Sequence, residues 1–137
     1  MSSKLSPIQF SMPVLQQCEF TINPAFIDAH KQSNEGGVFL PIKIDKQYGD
    51  AIGKDYPVSM RVHVGGKTEE YPFYICVEMS AIFSIQTDVS DGLKEQFLTV
   101  NALAVLYSYI RPIIASLTSQ SIFPQYNLPF MDFTKKV

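Results

Sequence analysis

The chain has 137 residues and 46% hydrophobic content, enough to bury roughly two-thirds of its unfolded surface in one core, which argues against intrinsic disorder. Eleven basic and thirteen acidic residues give a net charge of −2, and no run of Lys and Arg is present to follow a nucleic-acid backbone. We therefore expect one domain over residues 1–137 and no nucleic-acid partner.

The N-terminal part of the sequence has the two-residue period of a β-strand. Apolar and polar residues alternate over residues 8–22, and Pro13, which cannot donate a ladder hydrogen bond, places this strand at a sheet edge. No continuous apolar segment follows the start, so no secretory signal and a cytoplasmic location are expected. Residues 23–37 are rich in Asn, Gly and polar side chains, and are predicted to form a loop with a helical turn at residues 25–30.

Three further strands are predicted in the middle of the chain. The second covers residues 38–45, with Pro41 making it irregular, and an exposed connection over residues 46–55 follows it. The third covers residues 58–64 and ends at Gly65-Gly66, a pair typical of a tight two-residue hairpin. The returning strand covers residues 71–79, and a second alternation over residues 82–85 is expected to extend it past a bulge near Ser80-Ala81.

From Leu93 the apolar period changes from two to about 3.6, which predicts a long C-terminal helix. One stripe of this helix is expected to cover the sheet; it contains Leu103, Leu106, Tyr107, Ile110, Ile114 and Leu117. A second apolar stripe is more than one sheet face can cover, so we expect it to form a subunit interface; its residues are Ala102, Val105, Tyr109 and Ile113. Pro112 predicts a kink, and Phe123-Pro124-Gln125 is expected to stop the helix.

These elements predict an α+β fold, with a four-stranded antiparallel sheet and one long C-terminal helix packed on it. The longest apolar run, residues 102–110, is far shorter than the roughly 20 residues of a membrane span, so no membrane insertion is expected. Two buried, reduced thiols at Cys18 and Cys76 are favoured over a disulfide.

The sequence contains no pattern typical of an enzyme or of a metal or cofactor site. His30 and His63 are the only histidines, and neither has a second ligand at metal-binding spacing, so a solvated sheet face explains His63. Ser116, Ser119 and Ser121 lack a nucleophile elbow and a nearby base. We therefore expect a protein that is not an enzyme and needs no cofactor.

Aromatic and apolar residues remain in segments outside the predicted core elements. They fall in the connection (Tyr48, Ile52, Tyr56) and in the C-terminal segment (Phe123, Tyr126, Leu128, Phe130, Met131, Phe133). In one interpretation the C-terminal segment folds back and caps the core. In the other, both segments line a groove for extended apolar polypeptide, since flexible surfaces rich in aromatic residues and Met suit binders of many sequences.

The end of the helix resembles the SecB family of export chaperones. The resemblance is carried by Tyr109, Arg111, Ile114, Ser116 and Ser119, and then by Phe123-Pro124-Gln125, Asn127 and Leu128; a second match is Ile82-Phe83-Ser84-Ile85. It implies a four-stranded sheet with a long helix, assembled as a dimer of dimers that binds unfolded clients without ATP. The implied groove is lined by the connection before the third strand, the helix exit and the C-terminal segment, and we add Phe83 to its candidate residues.

The chain also departs from the SecB pattern. No second helix or acidic tail follows the Asn-Leu motif, and the positions aligned with the acidic residues that contact the motor SecA are Gln17, Thr21 and Cys76. SecA binding is therefore not expected from the resemblance. The leading hypothesis is a holdase that serves either export or a dedicated client such as an antitoxin. The alternative is a non-chaperone oligomeric adaptor or a small-ligand-binding domain on the same frame.

Overall fold

A computed structural model describes residues 4–29 and 40–135. Five strands and two α-helices joined by a π-helical turn make up most of it, with a one-and-a-half-turn helix near the N-terminus. In chain order the elements are β1 (Ile8–Phe10), β2 (Val14–Ile22), α1 (Pro24–Ala29), β3 (Ile42–Tyr48), β4 (Asp55–Gly65), β5 (Phe73–Ile85), α2 (Asp91–Gln96), the π-helical turn (Phe97–Asn101) and α3 (Ala102–Ser119).

The strands form one antiparallel sheet, which confirms the predicted fold class. β1 and β2 lie one after the other along the same edge of β5, and β4 and β3 follow on its other side. The predicted single edge strand is therefore two strands, because the chain breaks at residues 11–13, where Pro13 cannot donate to the ladder. The predicted second strand begins at Ile42; residue 38 and His30 lie outside the described residues.

Two predicted details of the sheet are wrong. β5 pairs with β4 without interruption through Ser80 and Ala81, so the predicted bulge is absent there; the register shift lies in β2 instead, between Leu15 and Gln17. The β4–β5 hairpin is also longer than the two residues predicted: Gly65 pairs with Tyr74, and residues 66–72 form the loop. The Gly-Gly signal marks a positive φ of 76° at Gly65, where a Cβ would lie 2.1 Å from the carbonyl oxygen of Phe73.

Asn23 holds this longer hairpin loop in place. Its side-chain amide donates to the carbonyl oxygens of Gly66 (2.7 Å), Tyr71 (2.9 Å) and Thr68 (3.2 Å), and its own backbone amide donates to Pro72 (3.0 Å). The Asn23 side chain is buried, so these bonds replace the water that the amide loses on folding. A single side chain thereby fixes where β4 turns back into β5.

The exposed connection is shorter than predicted, because β3 continues to Tyr48. Only residues 49–54 remain outside the strands, with Gly53 at a φ of 62°. The backbones of Ile52 and Asp55 exchange two hydrogen bonds, of 2.9 and 3.0 Å, so the connection is a tight turn. The large side chain of Ile52 stands at its tip.

The core lies between one face of β4 and β5 and the helix. The predicted helical stripe is confirmed: Leu103, Leu106, Tyr107, Ile110 and Ile114 are buried, and Leu117 packs partly against them. Of the two thiols, Cys76 is buried as predicted, whereas Cys18 is exposed, because β2 lies at the edge of the sheet beyond the cover of the helix. Both are free.

The helical run is longer than the apolar stretch seen in the sequence. Together, α2, the π-helical turn and α3 give 29 residues, Asp91–Ser119, which contain an 18-residue window with a mean hydropathy of 1.4. By length and composition alone this run is enough to cross a membrane. The buried stripe packs this run on the sheet, as the core helix of a globular protein does. Pro112 lies inside α3, as predicted.

Candidate binding surface along helix α3

The C-terminal segment folds back along α3. The helix ends at Ser119, four residues before the predicted stop, and the amides of Gln120 and Ser121 close it by donating to the carbonyl oxygens of Leu117 (3.2 Å) and Thr118 (3.0 Å). Residues 122–135, which we call the tail, then run antiparallel to the helix. Their contacts move from Thr118 at one end to Tyr107 at the other.

Side chains of α3 hold the tail by its main chain. Thr118 Oγ1 accepts from the amide of Tyr126 (2.7 Å), Arg111 Nε donates to the carbonyl oxygen of Leu128 (3.0 Å), and the Tyr107 hydroxyl donates to that of Pro129 (2.5 Å). Within the described residues, the tail makes no backbone-to-backbone hydrogen bond. The tail is therefore an extended segment that is attached to α3 by hydrogen bonds from side chains of the helix, and not by pairing in a strand or helix.

Burial raises the pKa of Tyr107 to about 12. Arg111 opposes this shift only partly, since its positive charge favours the phenolate. The phenol therefore keeps its proton throughout the physiological range and remains a donor to Pro129. Burial likewise raises the pKa of Tyr126.

The tail's side chains divide between the core and the solvent. Leu128 is 1% exposed and belongs to the core, while Phe123 and Tyr126 pack against Phe73, with ring centroids 5.9 and 6.4 Å away. Further along, Phe133 meets the ring of Tyr107 at 5.5 Å.

Phe130 lies on the outer side of the tail. It is 88% exposed, and its ring covers the guanidinium of Arg111 at 4.5 Å. The neighbouring Met131 is also exposed.

The turn at residues 49–54 lies toward the N-terminal end of the same helical run. The Tyr48 hydroxyl donates to the carbonyl oxygen of Leu98 (3.1 Å) inside the π-helical turn, and this contact joins the end of β3 to the helix. Burial raises the pKa of Tyr48, so this donor also keeps its proton. Leu98 precedes Tyr107 by nine residues, which corresponds to roughly 13 Å of helix.

The structure sorts the predicted groove residues by exposure. Tyr48, Ile52, Phe130 and Met131 are exposed, and Tyr56, Phe123, Tyr126 and Phe133 are half-buried. Phe83 and Leu128 need correction: each is 1% exposed, Phe83 because it points from β5 into the core and Leu128 because the tail inserts it there. The tail therefore caps the core through some side chains, as one interpretation predicts, and leaves others exposed, while a client groove stays a prediction.

The second helical stripe is only partly available for a subunit contact. Ala102 is fully buried within the chain and is no longer a candidate, because the neighbouring elements already cover it. Val105 and Ile113 are half-buried and Tyr109 is exposed, so these three remain.

The sequence did not single out an apolar surface at the edge of the sheet beside Tyr109. The ring of Phe10 lies 6.3 Å from the ring of Tyr109. Phe10, Met12 and Leu15 are all exposed along this edge. The alternation of Ile8, Phe10 and Met12 was the available signal. It does not show which of the inward side chains the helix leaves uncovered.

The other face of the sheet carries paired polar groups. Arg61 contacts Glu78 at 2.6 Å, and Lys67 contacts Glu19 at 3.3 Å. His63 lies between the Tyr74 hydroxyl (2.8 Å) and the carboxylate of Asp45 (3.1 Å). In the described part of the chain, no group of three His, Cys, Asp or Glu side chains is placed to hold a metal ion.

Comparison with known proteins identifies the family. Residues 23–135 match the family model described as preprotein translocase subunit SecB. The chain belongs to the SecB family. SecB is a family of chaperones and not a class of enzymes, and the predicted resemblance is confirmed.

Curated SecB relatives are distant in sequence. The protein-export protein SecB of Ehrlichia ruminantium is 26% identical over 139 residues, which cover 94% of this chain and 80% of that protein. SecB of Anaplasma phagocytophilum is 29% identical over 104 residues, which cover 74% of this chain and 65% of the relative. The match to SecB of Anaplasma marginale spans 57% of that protein's length.

Solved structures share the fold. A SecB-like chaperone of Mycobacterium tuberculosis, determined in complex with a peptide from an antitoxin, superposes with a TM-score of 0.66 at 12% identity, over 91% of this chain and 88% of that one. A protein of unknown function from Streptococcus agalactiae gives a TM-score of 0.55 at 13% identity, over 90% of this chain. At this identity the likeness concerns the fold alone.

Proposed function

We propose that this SecB-family protein is an ATP-independent holdase of the cytoplasm that binds unfolded, extended apolar polypeptide along α3. The observation that carries the proposal is the set of large apolar side chains left exposed at both ends of one helix flank. Ile52 is 78% exposed at the turn, and Phe130 is 88% exposed on the tail. Apolar surface of this kind is favoured on a soluble chain when a partner covers it.

The geometry suits an extended client. A strand-like chain advances about 3.3 Å per residue, so the roughly 13 Å between Leu98 and Tyr107 corresponds to about four client residues. Alternate client side chains would meet the apolar groups on the turn and the tail, while solvent remains on the other side. Exposed aromatic residues and Met adapt to many side-chain shapes, which suits a client class defined by apolar character rather than by sequence.

Between the two SecB-like roles, we favour a dedicated client over general export. The positions aligned with the acidic motor contacts hold Gln17, Thr21 and Cys76, and Cys76 is buried. The carboxylates of Glu19 and Glu78 on the same sheet face are paired with Lys67 and Arg61. This face therefore offers little free negative charge to SecA. The antitoxin peptide bound by the Mycobacterium tuberculosis protein is an example of such a client.

We also propose a homo-oligomer, with a dimer of dimers as the assembly that the family implies. Phe10 adjoins Tyr109 on α3, and Met12 and Leu15 are exposed further along the same edge of the sheet. We take the edge of the sheet and the second helical stripe as one surface. A second copy would cover this surface without covering Ile52 or Phe130. Assembly and client binding would then use different parts of the protomer.

Peptide binding tests the holdase proposal. A fluorescein-labelled, unstructured peptide rich in Leu and Tyr should bind the wild type without ATP, as measured by fluorescence anisotropy. Ile52→Glu and Phe130→Glu should each weaken binding about tenfold, because a charge replaces apolar contact area. Ile122→Glu is the matched control, since Ile122 is 73% exposed at the opposite end of α3, and it should leave affinity unchanged.

The alternative of a small-ligand-binding domain or an adaptor predicts a different result. In that case the wild type would not bind the peptide, or all three glutamate variants would bind it as the wild type does.

A further inference from the structure

The hydrogen bonds from α3 to the tail involve only the main chain of the tail. Arg111 Nε and the Tyr107 hydroxyl donate to the carbonyl oxygens of two successive residues, Leu128 and Pro129. Every polypeptide carries such carbonyl groups at each residue, so these donors cannot distinguish the tail from another extended chain. This is a recognition chemistry that a binder of many sequences needs.

The tail itself has the character of an unfolded apolar segment. Residues 126–133 read Tyr-Asn-Leu-Pro-Phe-Met-Asp-Phe, with one charged side chain, and no helix or strand occurs among them. Leu128 is the residue of this segment that is fully buried in the core, while Tyr126 and Phe133 pack partly against it. Phe130 covers Arg111 from outside. The segment thus combines one buried apolar anchor with main-chain hydrogen bonds.

We infer that Tyr107 and Arg111 are main-chain-binding residues of the client site, and that the chain's own Leu128 and Pro129 occupy them as an internal competitor until a client replaces them and the displaced tail contacts that client through Phe130. The inference rests on the proposed holdase function and specifies how the site is regulated. A client binds only the fraction of molecules whose tail is released, so the apparent affinity falls in proportion to that fraction. Weakening the tail contact should therefore strengthen client binding.

A tryptophan placed in the tail distinguishes a competitor from a fixed wall. The chain contains no tryptophan, so Phe133→Trp gives a single emission signal from a half-buried position on the ring of Tyr107. Adding the unstructured, tryptophan-free peptide should move the emission to longer wavelength and increase quenching by acrylamide, because the tail leaves α3. Unchanged emission, or a shift to shorter wavelength with less quenching, would show that the tail stays in place and would overturn the inference.

Affinity measurements give an independent test. Leu128→Ala removes the buried anchor but keeps both donors, so it should tighten peptide binding about tenfold, whereas Ile122→Ala should have no effect. Adding Arg111→Met to Leu128→Ala should weaken binding again, because a client donor is lost. Wild-type affinity in a folded Leu128→Ala protein would overturn the competition, and unchanged affinity on adding Arg111→Met would overturn the donor role.

If the peptide does not bind the wild type, the holdase function itself is wrong. If the peptide binds while the tryptophan reports no release, only the inference about the tail is wrong. Should Leu128→Ala fail to fold, as judged by circular dichroism, the tryptophan measurement decides.

Discussion

At the scale of single residues, Tyr107 joins the core to the tail. Its ring is buried in the helical stripe, its edge contacts Phe133, and its hydroxyl donates to Pro129. The stripe predicted the burial, because Tyr107 lies in phase with Leu103 and Ile110. The hydrogen bond could not be predicted, since it depends on how the tail returns along the helix.

The raised pKa of Tyr107 predicts a loss of stability in alkaline solution. The folded-state value of about 12 lies above the unfolded value near 10, so the stabilisation is complete below pH 10 and is lost as the pH rises toward 12. We expect the wild type to lose up to about 2 kcal/mol more than Tyr107→Phe over this range. Urea unfolding at several pH values checks this, and parallel pH profiles for the two proteins would refute it.

Asn23 is the second residue whose role the structure alone reveals. We expect Asn23→Ala to lower the free energy of unfolding by about 1–3 kcal/mol, because the carbonyl groups of the β4–β5 loop lose a buried donor. Gln17→Ala, on the exposed part of β2, is the control and should change stability by less than about 0.5 kcal/mol. Urea denaturation of both variants measures the difference. Equal stabilities would mean that water replaces the Asn23 amide without cost.

At the scale of elements, the periodicity of the sequence correctly predicted which face of each strand and helix is buried. The alternation along β4 and β5 and the 3.6-residue stripe of α3 place the core correctly, because each pattern reports the one face that an element buries. The hairpin loop was predicted too short, since Gly65-Gly66 matches both a two-residue turn and a single positive φ before a longer loop. The longer loop forms because its carbonyl groups accept hydrogen bonds from Asn23, which is 43 residues away in sequence from Gly66.

The segments of the candidate site were predicted, but the burial of their individual side chains was not. Aromatic residues outside regular elements identified the tail and the turn, but their composition does not say which side chains point inward. Leu128 and Phe130 lie two residues apart and end in opposite environments, 1% and 88% exposed. Main-chain contacts from Arg111 and Thr118 set this division, and they leave no periodic pattern in the sequence.

At the scale of the whole molecule, the two apolar surfaces have separate tasks in our account. We propose that the edge formed by Phe10, Met12, Leu15 and Tyr109 assembles copies of the chain and that the flank carrying Ile52 and Phe130 binds the client. The same protomer frame, an antiparallel sheet under one long helix, carries both surfaces. This division predicts that assembly and client binding can be disrupted independently.

Assembly is tested at the edge of the sheet. Met12→Asp and Leu15→Asp should reduce the molar mass measured by light scattering from that of an oligomer to that of the 15.4 kDa protomer. The reason is that each buries a charge in the proposed interface. Ile122→Asp, outside this surface, should leave the mass unchanged. A wild type that is already monomeric, or variants that keep its mass, would contradict the proposed interface.

Aggregation of reduced lysozyme measures most directly whether the protein holds unfolded polypeptide without ATP. Light scattering should stay low when the wild type is added at a stoichiometric ratio in the absence of ATP. Ile52→Glu should lose most of this protection, and the matched variant Ile122→Glu should retain it. Aggregation at the uninhibited rate in the presence of correctly folded wild-type protein would contradict the account.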